Sequence, residues 1–530
     1  MWQCVAAPIN VAPLLLVGAV MRQIALLFVF ALAASWPLTA NASSASAHFD
    51  KKLLSVPGNL LQVTPIDLDG DGKLDLLATF VAGQQDTGQR SFAVFWNTNG
   101  TYSAKPDLVF GSDIDACAFD IAPLDGAGNA ASLLLVTPNG VSTRSFKGRV
   151  LGEAKTLVDQ STFCLAADAD ELFRLRVVQP LSAAGANDLV VPGLGTMSVY
   201  TSRGGHLVRV ANLKTPFRAR YGNTGRREPQ AMQASHIPGL NASFTLPDLH
   251  LADIDGDGKT DLVLTHDDEL TAYLQGPGFT FSNEPSVRRS FSIRSAEDKQ
   301  NDVGEVSLQV LDIDNDGVAD IVVRKEVNHG ITSSHSTLWV FLGKHGTAGV
   351  PAESPDQVIE LEGASLGDLE IFDVTGDGRA DLLVPSVDLG VVSVVRMITT
   401  QTLKIHMQVF PFEASRKFAD KAAAERDLKM KISLSGQSDV EAVELAGDYN
   451  GDGKPDLVLG TGGDELSFYP AVPNGSVFAE DPMEQLSIRA RGRTVAADLN
   501  QHGRSDLLLY SPATQGHKNE IWVMFNRGGW

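Results

Sequence analysis

The chain has 530 residues, room for several domains or one large repeat architecture, and it is acidic: 64 Asp and Glu against 43 Lys and Arg, a formal charge of -21. That balance excludes general nucleic-acid binding, which needs basic surface to displace counterions. Carboxylates that neutralise bound cations explain it more economically, and abundant Gly with few helix-like runs points to an all-β chain.

Residues 1–47 read as an upstream extension followed by an export signal, with Met21 as good a start as Met1. From Met21 the chain runs MRQIALLFVFALAASWPLTANASSASA: one Arg, an apolar stretch from Ile24 to Leu38, then small residues suited to cleavage near Ala42 or Ala47. The stretch is short for a membrane span of about 20 residues. No other segment is long and apolar enough to cross a bilayer, so a secreted or periplasmic protein without a membrane span is expected. Cys4 leaves with the signal. An exported compartment permits Cys117 and Cys164 to pair, and two buried thiols fit the sequence equally well.

HFDKKLLSV (48–56) is a lone strand ahead of the first repeat. The repeat itself is DLDGDGKLDLL (67–77), and it returns as DIDGDGKTDLVL (253–264), DIDNDGVADIVV (312–323), DVTGDGRADLLV (373–384), DYNGDGKPDLVL (448–459) and DLNQHGRSDLLL (498–509). Each copy has an acid at positions 1 and 9, an oxygen side chain at 3 and Gly at 6, followed by apolar β-formers. Position 5 is Asp except at His502. Between the first two copies, FDIAPLDGAGNAASLLLV (119–136) and RVVQPLSAAGANDLVV (176–191) keep the strands and a Gly-rich turn but lose most carboxylates. Eight units at roughly 50 to 75 residues suit a propeller or another repeat array.

A third strand follows the loops, as in FAVFWN (92–97), LTAYLQ (270–275), LWVFLG (338–343), ELSFYP (465–470) and IWVMFN (521–526). Units of three or four short strands bury both faces only when packed radially against neighbours. The last unit stops after its third strand, and 48–56 supplies a spare strand to complete it and close the ring. An eight-bladed propeller is expected over 48–530, with a seven-bladed ring plus one appended unit, or a β-solenoid, as alternatives.

Two insertions interrupt the pattern. Residues 201–247 hold Arg203, Arg209, Lys214, Arg218, Arg220, Arg226 and Arg227 against one acid, Glu228, with Phe217 and Tyr221 among them. Such a stretch suits an acidic glycan, a lipid headgroup or a partner protein, or a solvated loop lying on acidic blades. The second insertion, 398–440, is expected to be partly helical: SRKFADKAAAERDLKMKI (415–432) has helix-forming composition, and Phe418, Ala422 and Leu428 could share a face.

Alternating carboxylates on a tight turn converge their oxygens on one point, and hard oxygen ligands in this number suit Ca²⁺, with position 7 offering its backbone carbonyl. An EF-hand would need Glu at position 12, where Ala78 and Leu264 stand, and flanking helices. A phosphate loop would need G-x-x-x-x-G-K-[ST], which none of these loops has. GASLG (363–367) matches a nucleophile elbow, but a strand rather than a helix follows it. The histidines are scattered, His266 beside Asp267 to Glu269 at a loop tip among them.

The motif resembles the FG-GAP/VCBS repeat family, the calcium-loop propellers of integrin α-subunit heads and many secreted bacterial proteins. The resemblance covers about residues 48–530. It implies Ca²⁺ sites at Asp67, Asp69, Asp71 and Asp75; at Asp253, Asp255, Asp257 and Asp261; and at Asp312, Asp314, Asp316 and Asp320. It implies further sites at Asp373, Thr375, Asp377 and Asp381, and at Asp448, Asn450, Asp452 and Asp456. Asp498, Asn500 and Asp506 form a weak sixth, because His502 replaces an oxygen ligand there. About five Ca²⁺ ions are therefore expected, and the loops near 120–132 and 177–188 should bind none.

No catalytic residues or organic cofactor declare themselves, and the fold alone does not set the function, because folds host many unrelated activities. The expected function is a secreted, calcium-stabilised binding module for a glycan or protein ligand, acting as a monomer, with binding favoured over catalysis. A polysaccharide lyase or hydrolase on the same scaffold and a passive envelope component are the alternatives.

Overall fold

The computed structural model describes residues 48–530 apart from short segments, the longest being 224–239 and 432–442. The expected signal at 1–47 and most of the GASLG turn lie outside the described residues. Eight sheets of at least four strands follow one another along the chain. Blade 1 spans 59–111, blade 2 118–159, blade 3 178–214, blade 4 248–290, blade 5 305–362, blade 6 364–431, blade 7 443–487 and blade 8 493–526.

The ring closes as the sequence predicts. Phe49–Ser55 becomes the outer strand of blade 8, antiparallel to Glu520–Asn526, with Phe49 opposite Asn526 and Ser55 opposite Glu520. The first and last strands of the chain therefore share one sheet, which leaves no open seam and rules out both the solenoid and the appended unit.

The second strand of each blade explains why these apolar runs exist. Every residue of Asp261–His266, Asp381–Val387, Asp456–Gly460 and Asp506–Tyr510 is buried. Successive side chains of a strand point to opposite faces, so neighbours in sequence serve different blade interfaces. Leu76 packs toward blade 8 and Leu77 toward blade 2. Leu262 packs toward blade 3 and Val263 toward blade 5. The same split recurs at Ile321 and Val322, Leu382 and Leu383, Leu457 and Val458, and Leu507 and Leu508. The core is thus a ring of layers between blades rather than one central mass. A disulfide between Cys117 and Cys164, whose Cα atoms are 5.8 Å apart, ties the entry of blade 2 to the segment that leads from it to blade 3. The pairing left open by the sequence is therefore made.

Two expectations about the insertions are corrected. Residues 201–214 are blade strands rather than insertion, because Thr196–Arg203 and His206–Lys214 are the third and fourth strands of blade 3. Only the part after Lys214 leaves the blade, and it contains a hairpin of Ala219–Asn223 with Leu240–Phe244. Arg218, Arg226, Arg227 and Glu228 lie outside the described residues.

The described part of the segment, 415–431, is not helical. Phe412–Glu413 and Lys417–Phe418 form a small hairpin, and Ala424–Lys431 is the fourth strand of blade 6. Composition favoured a helix, but Ala424 and Leu428 are buried while Glu425, Asp427 and Lys429 are exposed, a period of two. Cross-strand pairs then fix the strand: Lys404 with Asp427 at 2.7 Å and Gln408 with Glu425 at 3.0 Å. Among the described residues the helices are Val391–Thr400, between the second and third strands of blade 6, and the short Ala296–Gln300. Among the described residues no helix is long and apolar enough to cross a membrane.

Candidate metal centres in the blade loops

Each acidic motif joins the first strand of its blade to the second. Every blade runs in the same order, so all six loops lie at one end of the ring. Their backbones are nearly superposable in hydrogen bonding. The position 1 carboxylate accepts the position 6 N–H in all six, from Gly72 at 2.9 Å, Gly258 at 2.6 Å, Gly317 at 2.9 Å, and Gly378, Gly453 and Gly503 at 2.8 Å. These glycines have φ between 75° and 87°, in the left-handed region. A Cβ on any of them would meet nothing within 4 Å, so the backbone angle rather than crowding requires Gly.

Position 9 performs a different task from positions 1, 3 and 5. It is the first residue of each second strand and is at most 1% exposed in all six copies. One carboxylate oxygen accepts the N–H of position 2, from Leu68 at 3.0 Å, Ile313 at 2.8 Å and Leu499 at 2.8 Å. The other accepts an N–H from the end of the third strand or just past it, from Asn97 at 2.7 Å, Gly343 at 2.7 Å and Asn526 at 2.6 Å. Position 9 therefore stitches three elements of its own blade, with or without a cation. Burial pushes the carboxyls of Asp75, Asp261 and Asp456 up to about 6 and those of Asp320 and Asp506 up to about 7. Neighbouring loop acids add to the rise at Asp75 and Asp320.

The degenerate loops support this division. Blade 3 retains Asp188 at the start of its second strand, fully buried, accepting the Ser182 N–H at 2.8 Å. Blade 2 has Ser132 there, bonded to Ser145 at 2.8 Å. The ligand positions have decayed while the stitching position has been kept or replaced by another hydrogen-bonding residue.

Positions 1, 3 and 5 gather acceptors at the loop. Asp67, Asp69 and Asp71 bring carboxylate oxygens within 4.8 Å of one another, as do Asp312, Asp314 and Asp316. In blade 4 the group is Asp253, Asp255 and Asp261, with Asp257 turned outward to Lys259. The position 7 cations lie at the rim, Lys73 on Asp71 at 3.1 Å and Arg379 on Asp377. In blade 6, Asp373 accepts the Gly378 N–H, and the Thr375 backbone N–H is bonded to Asp381 at 2.8 Å. In blade 7, Asn450 and Asp448 both accept the Asp452 N–H. In blade 8, Asn500 turns its amide toward Asp506 at 3.2 Å, and His502 contributes its N–H to Asp498 at 3.0 Å.

The donor set fits a hard divalent cation. It consists of carboxylate oxygens on a turn, and one of them, Oδ1 of Asp314, is buried without a hydrogen-bond partner. Neighbouring loops are also bound to each other. The Ala319 N–H donates to Asp253 O at 2.8 Å, Ala380 to Ile313 O at 2.7 Å, Ser505 to Asp448 O at 2.7 Å and Ala131 to Leu68 O at 3.1 Å. Order within one loop is thereby passed to the next blade.

Family comparison agrees with this geometry. Residues 253–323, spanning the loops of blades 4 and 5, match the FG-GAP-like repeat, and 443–477 in blade 7 match the FG-GAP repeat. The chain carries FG-GAP repeats.

No curated protein matches the FG-GAP chain. Among solved structures it is similar to a lectin from Agrocybe aegerita that recognises non-reducing terminal N-acetylglucosamine. That match has 15% identity over 91% of this chain and 96% of the lectin, with a TM-score of 0.37. It is also similar to the Dos1 propeller, at 10% identity over 90% and 95% with a TM-score of 0.40. A third is the Nup133 β-propeller domain of Vanderwaltozyma polyspora, at 10% over 84% and 98% with a TM-score of 0.36. Likeness at this level carries no argument about ligands.

Sequence reasoning missed the side chains that reach the FG-GAP loops from the next blade. Arg149 lies 80 residues from its partner Asp69, and Arg416 lies 100 from Asp316. Neither belongs to the repeat, so no local pattern marks them.

Proposed function

We propose that this FG-GAP propeller is an exported binding module, stapled by Ca²⁺ at one end of the ring and recognising a glycan or protein at the other. The ligand sets are those of the five complete loops, with Asp498, Asn500 and Asp506 as a weaker sixth. The ion would supply positive charge to acids that otherwise repel one another across a turn. The chain's residues supply the oxygens, the left-handed glycines and the stitching carboxylate. The Cys117–Cys164 disulfide supports export, since such bonds persist in oxidising compartments.

One observation carries the choice of recognition face. By chain order, Phe173, Leu194 and Phe217 fall on connections at the end opposite the acidic loops, Phe173 between blades 2 and 3, Leu194 within blade 3 and Phe217 between blades 3 and 4. They are 47%, 47% and 42% exposed. The backbone brings two of them together, because Thr215 N–H donates to Gly195 O at 3.1 Å and a Cβ on Gly195 would lie 3.5 Å from Phe217 Cβ. Exposed aromatic and aliphatic groups on connections of a rigid scaffold are what a recognition face needs. A glycan array probed with the full chain and with Phe173→Ser and Phe217→Ser tests this. Binding lost in both variants supports the reading. Unchanged binding moves the ligand elsewhere, and depolymerisation of a glycan replaces the reading with an enzyme.

A further inference from the structure

The three loops with Asp at all four positions belong to blades 1, 4 and 5, and each is touched by the hairpin joining the third and fourth strands of the following blade. In blade 4 the contact is mild: His345 places Nδ1 3.0 Å from Gly256 O. In blades 1 and 5 it is a guanidinium on the position 3 carboxylate. Arg149 donates a hydrogen bond to Asp69 at 3.0 Å, and Arg416 is ion-paired with Asp314 at 2.7 Å and donates a hydrogen bond to Asp316 at 3.0 Å. Both position 3 side chains are only 8% exposed.

Blade 5 is the more informative case. Arg416 takes Oδ2 of Asp314, while Oδ1 of the same carboxylate is buried without a hydrogen-bond partner beside Asp312 and Asp316. Such an orphan acceptor is costly unless something satisfies it. Arg416 also has φ of 59°, in the left-handed region, at a tight turn closed by its own N–H to Glu413 O at 2.9 Å. Gly or Asn would hold that conformation with less strain. Among the described residues eight non-Gly positions have positive φ, and at Arg416 the side chain is ion-paired with a neighbouring loop.

We infer that Arg416 is a positioning residue for the blade 5 cation. By gripping Oδ2 of Asp314 from the neighbouring blade it turns Oδ1 inward as a ligand, so cation occupancy in blade 5 and docking of the blade 6 hairpin reinforce each other. Arg149 holds Asp69 in the same way for blade 1, braced by Asn97 O at 3.2 Å and by the Trp96 ring at 5.5 Å. Outer partners of this kind fix ligand orientation at metal sites. The inference rests on the cation reading of the loops.

The test is calorimetric Ca²⁺ titration of the chelator-treated full chain, comparing wild type with Arg416→Gln, Arg416→Lys, Asp314→Asn and the Arg416→Gln/Asp314→Asn pair. One site in Arg416→Gln should weaken by about 10- to 100-fold. Asp314→Asn should lose the same site, the double variant should lose no more, and Arg416→Lys should recover part of the affinity. Tighter binding in Arg416→Gln would mean that the guanidinium competes with the cation, and unchanged binding would mean that it only screens the rim. Either result overturns the inference. Absence of Ca²⁺ binding in wild type overturns instead the cation reading beneath it. Should Arg416→Gln fail to fold, the decision passes to Arg416→Lys, where wild-type affinity at every site would overturn the positioning role.

Discussion

Replacing Asp320 with Ala separates the stitching role of position 9 from the ligand role of the loop. Asp320 is fully buried and its two oxygens accept the Ile313 N–H at 2.8 Å and the Gly343 N–H at 2.7 Å. Asp320→Ala strands both donors in a water-excluded place, at about 1–3 kcal/mol each, so a loss of about 2–6 kcal/mol is expected. The control is Asp377→Ala in blade 6, where the acid is exposed and its side-chain partner is Arg379. A surface change of that kind shifts stability by about 0.5 kcal/mol or less. Urea denaturation followed by tryptophan fluorescence, run in chelator and again in excess Ca²⁺, gives both numbers. Asp320→Ala should be costly in both buffers, whereas Asp377→Ala should be costly only with Ca²⁺ present. The reasoning fails if Asp320→Ala is near wild type in chelator, or if the two variants are equally damaging there.

Three further outcomes follow from the same structure. The Cys117–Cys164 bond closes a sequence separation of 47, so a Cys117→Ser/Cys164→Ser chain should lose about 4 kcal/mol of stability by loop entropy, read by urea denaturation against the oxidised protein. Leu54 is fully buried in the ring-closing strand opposite Ile521, and Leu54→Ala should cost about 2–5 kcal/mol, with a parallel rise in light scattering as the ring's edge opens. Half-buried His250 bonds Thr265 at 3.0 Å, and burial pushes its imidazole down to about 4 from 6.5. The folded chain then binds fewer protons than the unfolded chain between those values. Its contribution is full above pH 6.5 and disappears as pH falls toward 4, by at most about 3 kcal/mol. The stability difference between wild type and His250→Gln should therefore change across that window and stay flat above it.

The repeat made most of the fold legible, because the motif marks the corner between first and second strands and recurs wherever a blade does. Ring closure was readable too, since the last blade lacked a strand that the start of the chain could supply. The loops at 415–432 and 201–214 were misjudged for one reason. Ala, Glu and Lys dominate the first and basic residues the second, but whether a segment joins a sheet depends on an open partner strand, at Thr402–Phe410 and Thr196–Arg203 respectively. Composition does not show that partner. Within the motif, the sequence marked Asp75 and its equivalents as members of a ligand set. It could not show that their oxygens accept the N–H groups of residues such as Asn97, 22 positions away. The arginines at 149 and 416 were invisible because a neighbouring blade presents them.

The account stands most directly on whether the loops hold calcium. Metal analysis of the purified full chain after dialysis against micromolar Ca²⁺, paired with melting curves before and after chelation, decides it. About five Ca²⁺ per chain, with a clear fall in melting temperature on chelation, is the predicted result. A chain that carries no calcium and melts at the same temperature in chelator would contradict it.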